Sequence, residues 1–267
     1  MTLSSSEIDL KLNRAADALW AAWSNGEPTS PVRELMDGVV DLPLAYAIQE
    51  INCKRSLHAG RKLVGRKIGL TSLTMQKKLG VDEPNYGMLF ADMGRSEKQA
   101  ISFSTVVQPK IEAEIAFVMG RSVLNPAITE IEFAKCVDHA CASFEIVDSR
   151  TKGWDNTLFD TISDNVSASM FVLGNQEYPL DELDLVRCKM VMTCNGIQVS
   201  EGLGSNCYGS PLLAGAWLAR RMVKAGRPLE EGDVILTGAL GPIVAIEPST
   251  CFIATIEGLG SVTVSFS

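Results

Sequence analysis

The stretch Gln108-Pro-Lys-Ile-Glu112-Ala-Glu114-Ile-Ala-Phe-Val-Met119 constrains this chain more than any other. Its run of aliphatic, β-branched and aromatic residues predicts a strand over Val107–Met119. Side chains alternate across a strand, so Glu112 and Glu114 share one face, continued by Ala116 and Val118. The opposite face carries Ile111, Ala113, Ile115, Phe117 and Met119. Both faces turn apolar, which predicts a strand buried on both sides. Two neighbouring carboxylates in such a strand lose hydration and repel each other, so they need a cation or a shared proton. An isolated E-x-E can equally be a solvated edge strand with two surface glutamates. A third acid in a comparable setting, Glu145 between Phe144 and Ile146, argues for the cation. Three carboxylates with further positions left to water suit Mg²⁺ or Mn²⁺, hard cations that take oxygen ligands.

Three further segments carry candidate chemistry. In Gly65-Arg66-Lys67-Ile68-Gly69-Leu70-Thr71-Ser72, Lys67 lies beside a short apolar strand end. A partly desolvated lysine near a metal can have a lowered pKa and serve as acid or base; otherwise Lys67 is a surface cation. In Leu236-Thr237-Gly238-Ala239-Leu240-Gly241-Pro242, the Thr237 hydroxyl and freed backbone N–H groups can form a carboxylate-binding nest, or simply a strand-to-loop turn. The polar stretch Asp160-Thr-Ile-Ser163-Asp164-Asn165 can cap a helix, or bind a ligand or water through Ser163 and Asp164.

Other function classes lack support. The two histidines, His58 and His139, lie in no nucleophile motif, and no G-x-S-x-G elbow occurs. Gly202-Leu-Gly204 and Gly258-Leu-Gly260 are not followed by a glycine-rich helix start, so neither reads as a nucleotide fingerprint. A net charge of −8 offers no basic stripe for nucleic acid. No apolar run reaches membrane-spanning length, and the N-terminus lacks a signal-peptide pattern. Seven scattered cysteines without C-x-x-C fit a cytoplasmic protein with reduced thiols.

Helical spacing of Ile8, Leu12, Ala15, Ala16, Leu19 and Trp23 predicts a helix over 6–24, capped by Ser6 with Asp9 three residues on. A second helix is expected over 43–59, after a connector at 27–42. From Lys62 the texture becomes strand-rich. Strands are expected at 63–70, 107–119, 142–147, 167–173 and 188–194, the last turning at Asn195-Gly196 into 197–200. Closing strands are expected at 234–237, 251–256 and 262–266. Helices are expected at 72–80, 129–142 and 211–225, and residues 149–163 read as polar and irregular. The expected fold class is α+β. Residues 1–61 form an N-terminal helical segment beside a metal-binding catalytic domain at 62–267.

From about Leu44 to the C-terminus the chain resembles the fumarylacetoacetate hydrolase superfamily, and within it the 2-hydroxypenta-2,4-dienoate (2-keto-4-pentenoate) hydratases. The resemblance rests on GRKIGLTS at 65–72, GVDEPNYGMLFADM at 80–93, QPKIEAEIAFVM at 108–119 and FEIVDSR at 144–150. It continues through DTISDN at 160–165, GSPLLAGAWLARRM at 209–222, GDVILTGALGP at 232–242 and IEGLGSVTVSF at 256–266. It implies the mixed, β-rich fold of that superfamily with the N-terminal helices beside it. It implies Mg²⁺ or Mn²⁺ on Glu112, Glu114 and Glu145, proton transfer by Lys67, and Thr237 against the substrate carboxylate. A small 2-oxo or 2-hydroxy-dienoic acid substrate, a homo-oligomer and an associated downstream aldolase are further expectations. One departure stands out. The hydratases usually carry an acid in a Pro-Asp-(Tyr/Phe)-Gly motif, whereas this chain reads Pro84-Asn85-Tyr86-Gly87. Asn85 can orient a water or the substrate but cannot exchange a proton at neutral pH. A decarboxylase acting on a 4-oxalocrotonate-type acid, or a catalytically silent ligand-binding paralogue, is the alternative that this residue leaves open.

Overall fold

The computed structural model describes residues 4–267; residues 1–3, the start of the N-terminal stretch examined for a leader, lie outside the described residues. Helix α1 (Ser5–Asn25) is capped by Ser4, two residues earlier than the cap expected at Ser6. Ser4 and Glu7 form a reciprocal capping box that satisfies two free backbone donors at once, and Gly26 in the left-handed region ends the helix. Its buried stripe is Leu12, Ala15, Ala16, Leu19 and Ala22, so Trp23 falls outside it, 46% exposed, contrary to the expectation. Helix α2 (Leu42–His58) starts at the Asp41 cap. Both helices pack with Val32 and Met36 of the connector and with Phe159 and Ile162 into one small core.

The larger body then alternates strands and short helices: β1 (Leu63–Gly69), α3 (Leu73–Leu79), β2 (Asn85–Phe90) and β3 (Gly94–Arg95). Next come β4 (Pro109–Met119), α4 (Glu130–Ala134), β5 (Val137–Asp148), α5 (Leu158–Ser163) and β6 (Ala168–Leu173). The chain closes with β7 (Lys189–Cys194), β8 (Ile197–Leu203), α6 (Pro211–Lys224), β9 (Val234–Ala239), β10 (Val244–Ala245), β11 (Cys251–Ile256) and β12 (Gly260–Ser265).

Two expectations give way here. The helix expected over 129–142 stops at Ala134, because Thr129 and Glu132 cap only one short turn. From Val137 the chain pairs antiparallel with β4, and that ladder outweighs the modest helical preference of His139–Ala142. The stretch 149–163 is not wholly irregular, since Thr157 caps α5 through Asp160.

Eight strands form a mixed sheet in the order β2-β1-β9-β4-β5-β6-β3, with β10 paired to β4, and four form a second sheet, β12-β11-β7-β8. Strand β1 lies three places from β5, about 14 Å away if the sheet were flat. The Lys67 ammonium nevertheless reaches within 2.9 Å of Glu145, so the large sheet curls and brings these strands face to face. The opposite face of the β4–β5 pair, away from the glutamates, holds Ile115, Phe117, Phe144 and Ile146 in the main core.

The β1–β9 contact that closes this curl depends on Gly65. A Cβ there would lie 2.0 Å from the Val234 carbonyl oxygen, a backbone atom that cannot move aside. Gly65→Ala is expected to lower unfolding free energy by about 1–3 kcal/mol through overpacking. Urea denaturation would read this, and a change below about 0.5 kcal/mol, typical of a neutral surface site, would contradict it.

Candidate metal centre and active site

The site is built by register. Glu112 of β4 stands directly opposite Glu145 of β5, and Glu114 opposite Ser143. Directly opposed residues share a face, where like charges repel. The three glutamates each bring a carboxylate oxygen within 4.8 Å of the others. Glu114 and Glu145 are buried, while Glu112 is half-buried at the floor of an open cleft of about 740 Å³. The cleft is walled by the β1–α3 connection, the Ser205–Asn206 turn and the Ala239–Ile243 loop.

Lys67 is buried, with Nζ 2.9 Å from Glu145 Oε1. Burial alone would lower its ammonium pKa, but the charges of Glu145, Glu112 and Glu114 outweigh it and hold Lys67 above the ordinary lysine range. The shift is thus opposite to the lowering expected from burial, and the group is charged at neutral pH. Burial, then the neighbouring Glu145, push Glu112 up to about 7. Glu114 is driven well above the ordinary carboxyl value by the same causes. Burial also raises Glu145, against the opposing pull of Lys67.

These residues fit a divalent cation. Glu114 Oε1 and both Glu145 carboxylate oxygens are buried without a hydrogen-bond donor among the described residues. Lys67 makes an ionic contact with Glu145 Oε1, but not at hydrogen-bonding angles. Unsatisfied anionic oxygens converging in this way, all from hard ligands, are what Mg²⁺ or Mn²⁺ requires.

The surrounding backbone fixes the carboxylates. Gly238 donates its N–H to Glu114 Oε2 at 2.8 Å. With φ +116 and a Cβ position 2.5 Å from the Thr71 side chain, this position admits only glycine without strain. The nest expected at 237–242 therefore serves a metal-ligand candidate. The Thr237 hydroxyl donates to the Ile115 carbonyl at 2.7 Å. Its proton is committed to the β9–β4 contact, so in this rotamer Thr237 cannot donate to a substrate carboxylate.

Asn85 is buried opposite Gly69, on the face that Lys67 shares two residues away, and its Oδ1 has no donor. Ser163 and Asp164 are not brought to the carboxylates. They line a separate, smaller cavity between α1, α2 and the body. Asp164 is spent on Arg150, which it meets at 2.5 Å, because a buried guanidinium requires a carboxylate partner. Asn165 was expected only as part of a polar loop. Its side chain instead bonds the backbone of Met88 twice, at 2.7 and 2.9 Å, and so fastens the loop to β2. Asn165, Val166 and Ser167 all adopt positive φ near 53°, a strained run held by those bonds. Leu70, at φ +56 on the cleft wall, is a further strained residue that the sequence reading missed; the Gly-x-x-Ser spacing before α3 was its only signal.

Residues 69–267 match the family model for the fumarylacetoacetate (FAA) hydrolase C-terminal domain. A TodF product hydratase of Pseudomonas putida is 49% identical over 256 residues, covering 96% of this chain and 95% of its own. A 2-keto-4-pentenoate hydratase of Dechloromonas aromatica is 46% identical over 253 residues, covering 95% and 96%. Among solved structures, a 4-oxalocrotonate decarboxylase of Pseudomonas putida, complexed with magnesium and adipate, superposes with a TM-score of 0.92. It is 28% identical and aligns over 100% of this chain and 99% of its own. The chain belongs to the fumarylacetoacetate hydrolase family.

Protonation and metal binding compete at these glutamates. Burial pushes Glu112 up to about 7 in the folded protein, from an ordinary value of 4.5. The folded state therefore holds more protons between those values, and stability falls as pH rises through this window. A divalent cation displaces the same protons, so its stabilisation grows with pH. Thermal melting with and without Mn²⁺ should show a small increment near pH 5.5 and a larger one near pH 8, a window set by that value of about 7. Glu145→Gln should remove the increment. An increment independent of pH would contradict the assignment.

Proposed function

We propose that this family member is a divalent-metal-dependent hydro-lyase. It adds water to 2-hydroxypenta-2,4-dienoate and releases 4-hydroxy-2-oxopentanoate, a reaction belonging to the meta-cleavage breakdown of aromatic compounds. The observation that carries the reading is the charged Lys67 against Glu145, whose cross-strand partner Glu112 forms the floor of an open cleft. Relatives 46% and 45% identical over almost the whole chain are named 2-keto-4-pentenoate hydratases.

Glu112, Glu114 and Glu145 would hold Mg²⁺ or Mn²⁺. When bound, the cation would polarise the 2-oxygen of the substrate and neutralise negative charge gathering there, a Lewis-acid role. The chain's own residues handle protons and position. Lys67, protonated at rest, delivers a proton to the terminal carbon of the diene and recovers one from the enol hydroxyl, giving the conjugated 2-oxo-3-enoate. Water then adds at C4, and C3 takes up a proton, so the net change is one water gained. Asn85 Oδ1, buried without a donor, accepts a hydrogen bond from the incoming water and orients it. It cannot remove the proton, which leaves proton movement to Lys67. Gly238 holds Glu114 in place, and Thr237 holds β9 against β4.

Asp164 supports the loop behind the site through Arg150, and Ser163 lines the separate cavity rather than the cleft. Helices α1 and α2 serve as the helical buttress for that loop, through the contacts of α2 with α5. A homo-oligomer working beside an aldolase that consumes the 4-hydroxy-2-oxo acid completes the reading. No described helix is long and apolar enough to cross a membrane, and seven free cysteines support a reducing, cytoplasmic compartment.

Ultraviolet loss of the dienol, with the product identified by NMR, tests this. Turnover should require Mg²⁺ or Mn²⁺ and stop with a chelator. Glu112→Gln should lower kcat/KM on the order of 100-fold or more, the scale of removing one electrostatic stabiliser. Lys67→Met should cost about 100- to 10,000-fold, the range of general acid–base catalysis. Release of CO₂ from 4-oxalocrotonate without dienol hydration would instead favour the decarboxylase. Metal and oxalate binding without turnover would favour a silent paralogue.

A further inference from the structure

The cleft that ends at Glu112 has a second, outer region with its own chemistry. Leu70 and Pro242 line its walls, and Leu73, Met75 and Ile243 stand around its mouth. The last three are 50%, 42% and 41% exposed, large apolar side chains left in water around one opening. Contiguous exposed apolar surface at a cleft marks a ligand contact more often than chance placement does. Glu112 is the only charged residue lining the cleft among the described residues. Lys77 and Lys78, on the same short helix as Leu73 and Met75, do not line it.

We propose that Leu73, Met75 and Ile243 form the tail subsite of this cleft, which accepts dienoates with a short apolar tail and turns away those ending in a second carboxylate. The proposal rests on the hydratase reading and deepens it. A substrate anchored by its C1 carboxylate at the glutamate floor directs its other end toward the mouth. An apolar tail there covers Leu73, Met75 and Ile243 and gains from the area removed from water. A terminal carboxylate would lose hydration against the same side chains with no cation to pair it. The decarboxylase with the similar fold is complexed with adipate, a ligand that carries a carboxylate at each end. The difference in tail chemistry therefore separates two enzymes whose folds superpose closely.

The test compares kcat/KM with Mn²⁺ for three dienols: 2-hydroxypenta-2,4-dienoate, its methyl-tailed homologue 2-hydroxyhexa-2,4-dienoate, and the dicarboxylate 2-hydroxyhexa-2,4-dienedioate. The first two should react comparably and the dicarboxylate about 10- to 100-fold more slowly, since its partly desolvated charge meets apolar side chains and no cation. Ile243→Arg, at a position exposed enough to leave the fold intact, should narrow that ratio about tenfold or more by supplying the missing cation. Met75→Arg repeats the test on the opposite wall, and thermal melting checks both variants. Equal use of the dicarboxylate by the wild type, or an unchanged ratio in both folded variants, overturns the tail subsite while the hydratase reading stands. Failure of all three dienols overturns the hydratase reading, and the subsite with it.

Discussion

Everything in this structure is arranged around one electrostatic imbalance. Three carboxylates converge in a buried pocket with a single ammonium beside them. Ionised together, they leave two uncompensated negative charges in an environment that penalises even one. Burial, and then repulsion from the neighbouring carboxylates, raises the pKa values of Glu112 and Glu114 and so favours their protonated forms in the folded protein. A divalent cation relieves the imbalance fully. The curl of the large sheet, the glycine at 65 that permits β1 to meet β9, and the N–H of Gly238 on Glu114 all serve to hold this unfavourable arrangement in place.

Much of that centre was legible in the sequence because strand periodicity is a strong signal. Glu112 and Glu114 fall on one face whatever the neighbouring strands do, and their apolar surroundings announce burial. The position of Glu145 directly across from Glu112 was not legible, since it depends on the β4–β5 register. The direction of the Lys67 shift was also out of reach. Burial and three nearby carboxylates act in opposite senses, and only distances decide between them. The polar loop at 160–165 shows the limit from the other side. Ser163 and Asp164 have the composition of a binding loop, yet Asp164 is committed to Arg150, fourteen residues away in sequence. The helix expected over 129–142 failed for a related reason, because pairing with β4 is a non-local gain that local propensity does not register.

Asn85 gives the site its particular character. Its buried, unpaired oxygen retains the hydrogen-bonding half of what an acid would do there and discards the proton-exchanging half. In the proposed reaction proton traffic falls to Lys67, which the surrounding carboxylates keep charged. Farther out, the cleft changes from charged floor to apolar mouth, so that anchoring and tail selection occupy different ends of one channel. Such a division lets closely superposing folds process acids with different tails while keeping one way of holding the reacting end.

The central claim is that Glu112, Glu114 and Glu145 hold one divalent cation. Anomalous diffraction at the manganese edge, from crystals grown with Mn²⁺, tests it most directly. The account predicts a single strong peak among the three carboxylates, about 2.0–2.3 Å from an oxygen of each, the range for small hard cations on oxygen ligands. An empty cluster at saturating Mn²⁺, or a peak bound elsewhere with Lys67 still resting on Glu145, would contradict it.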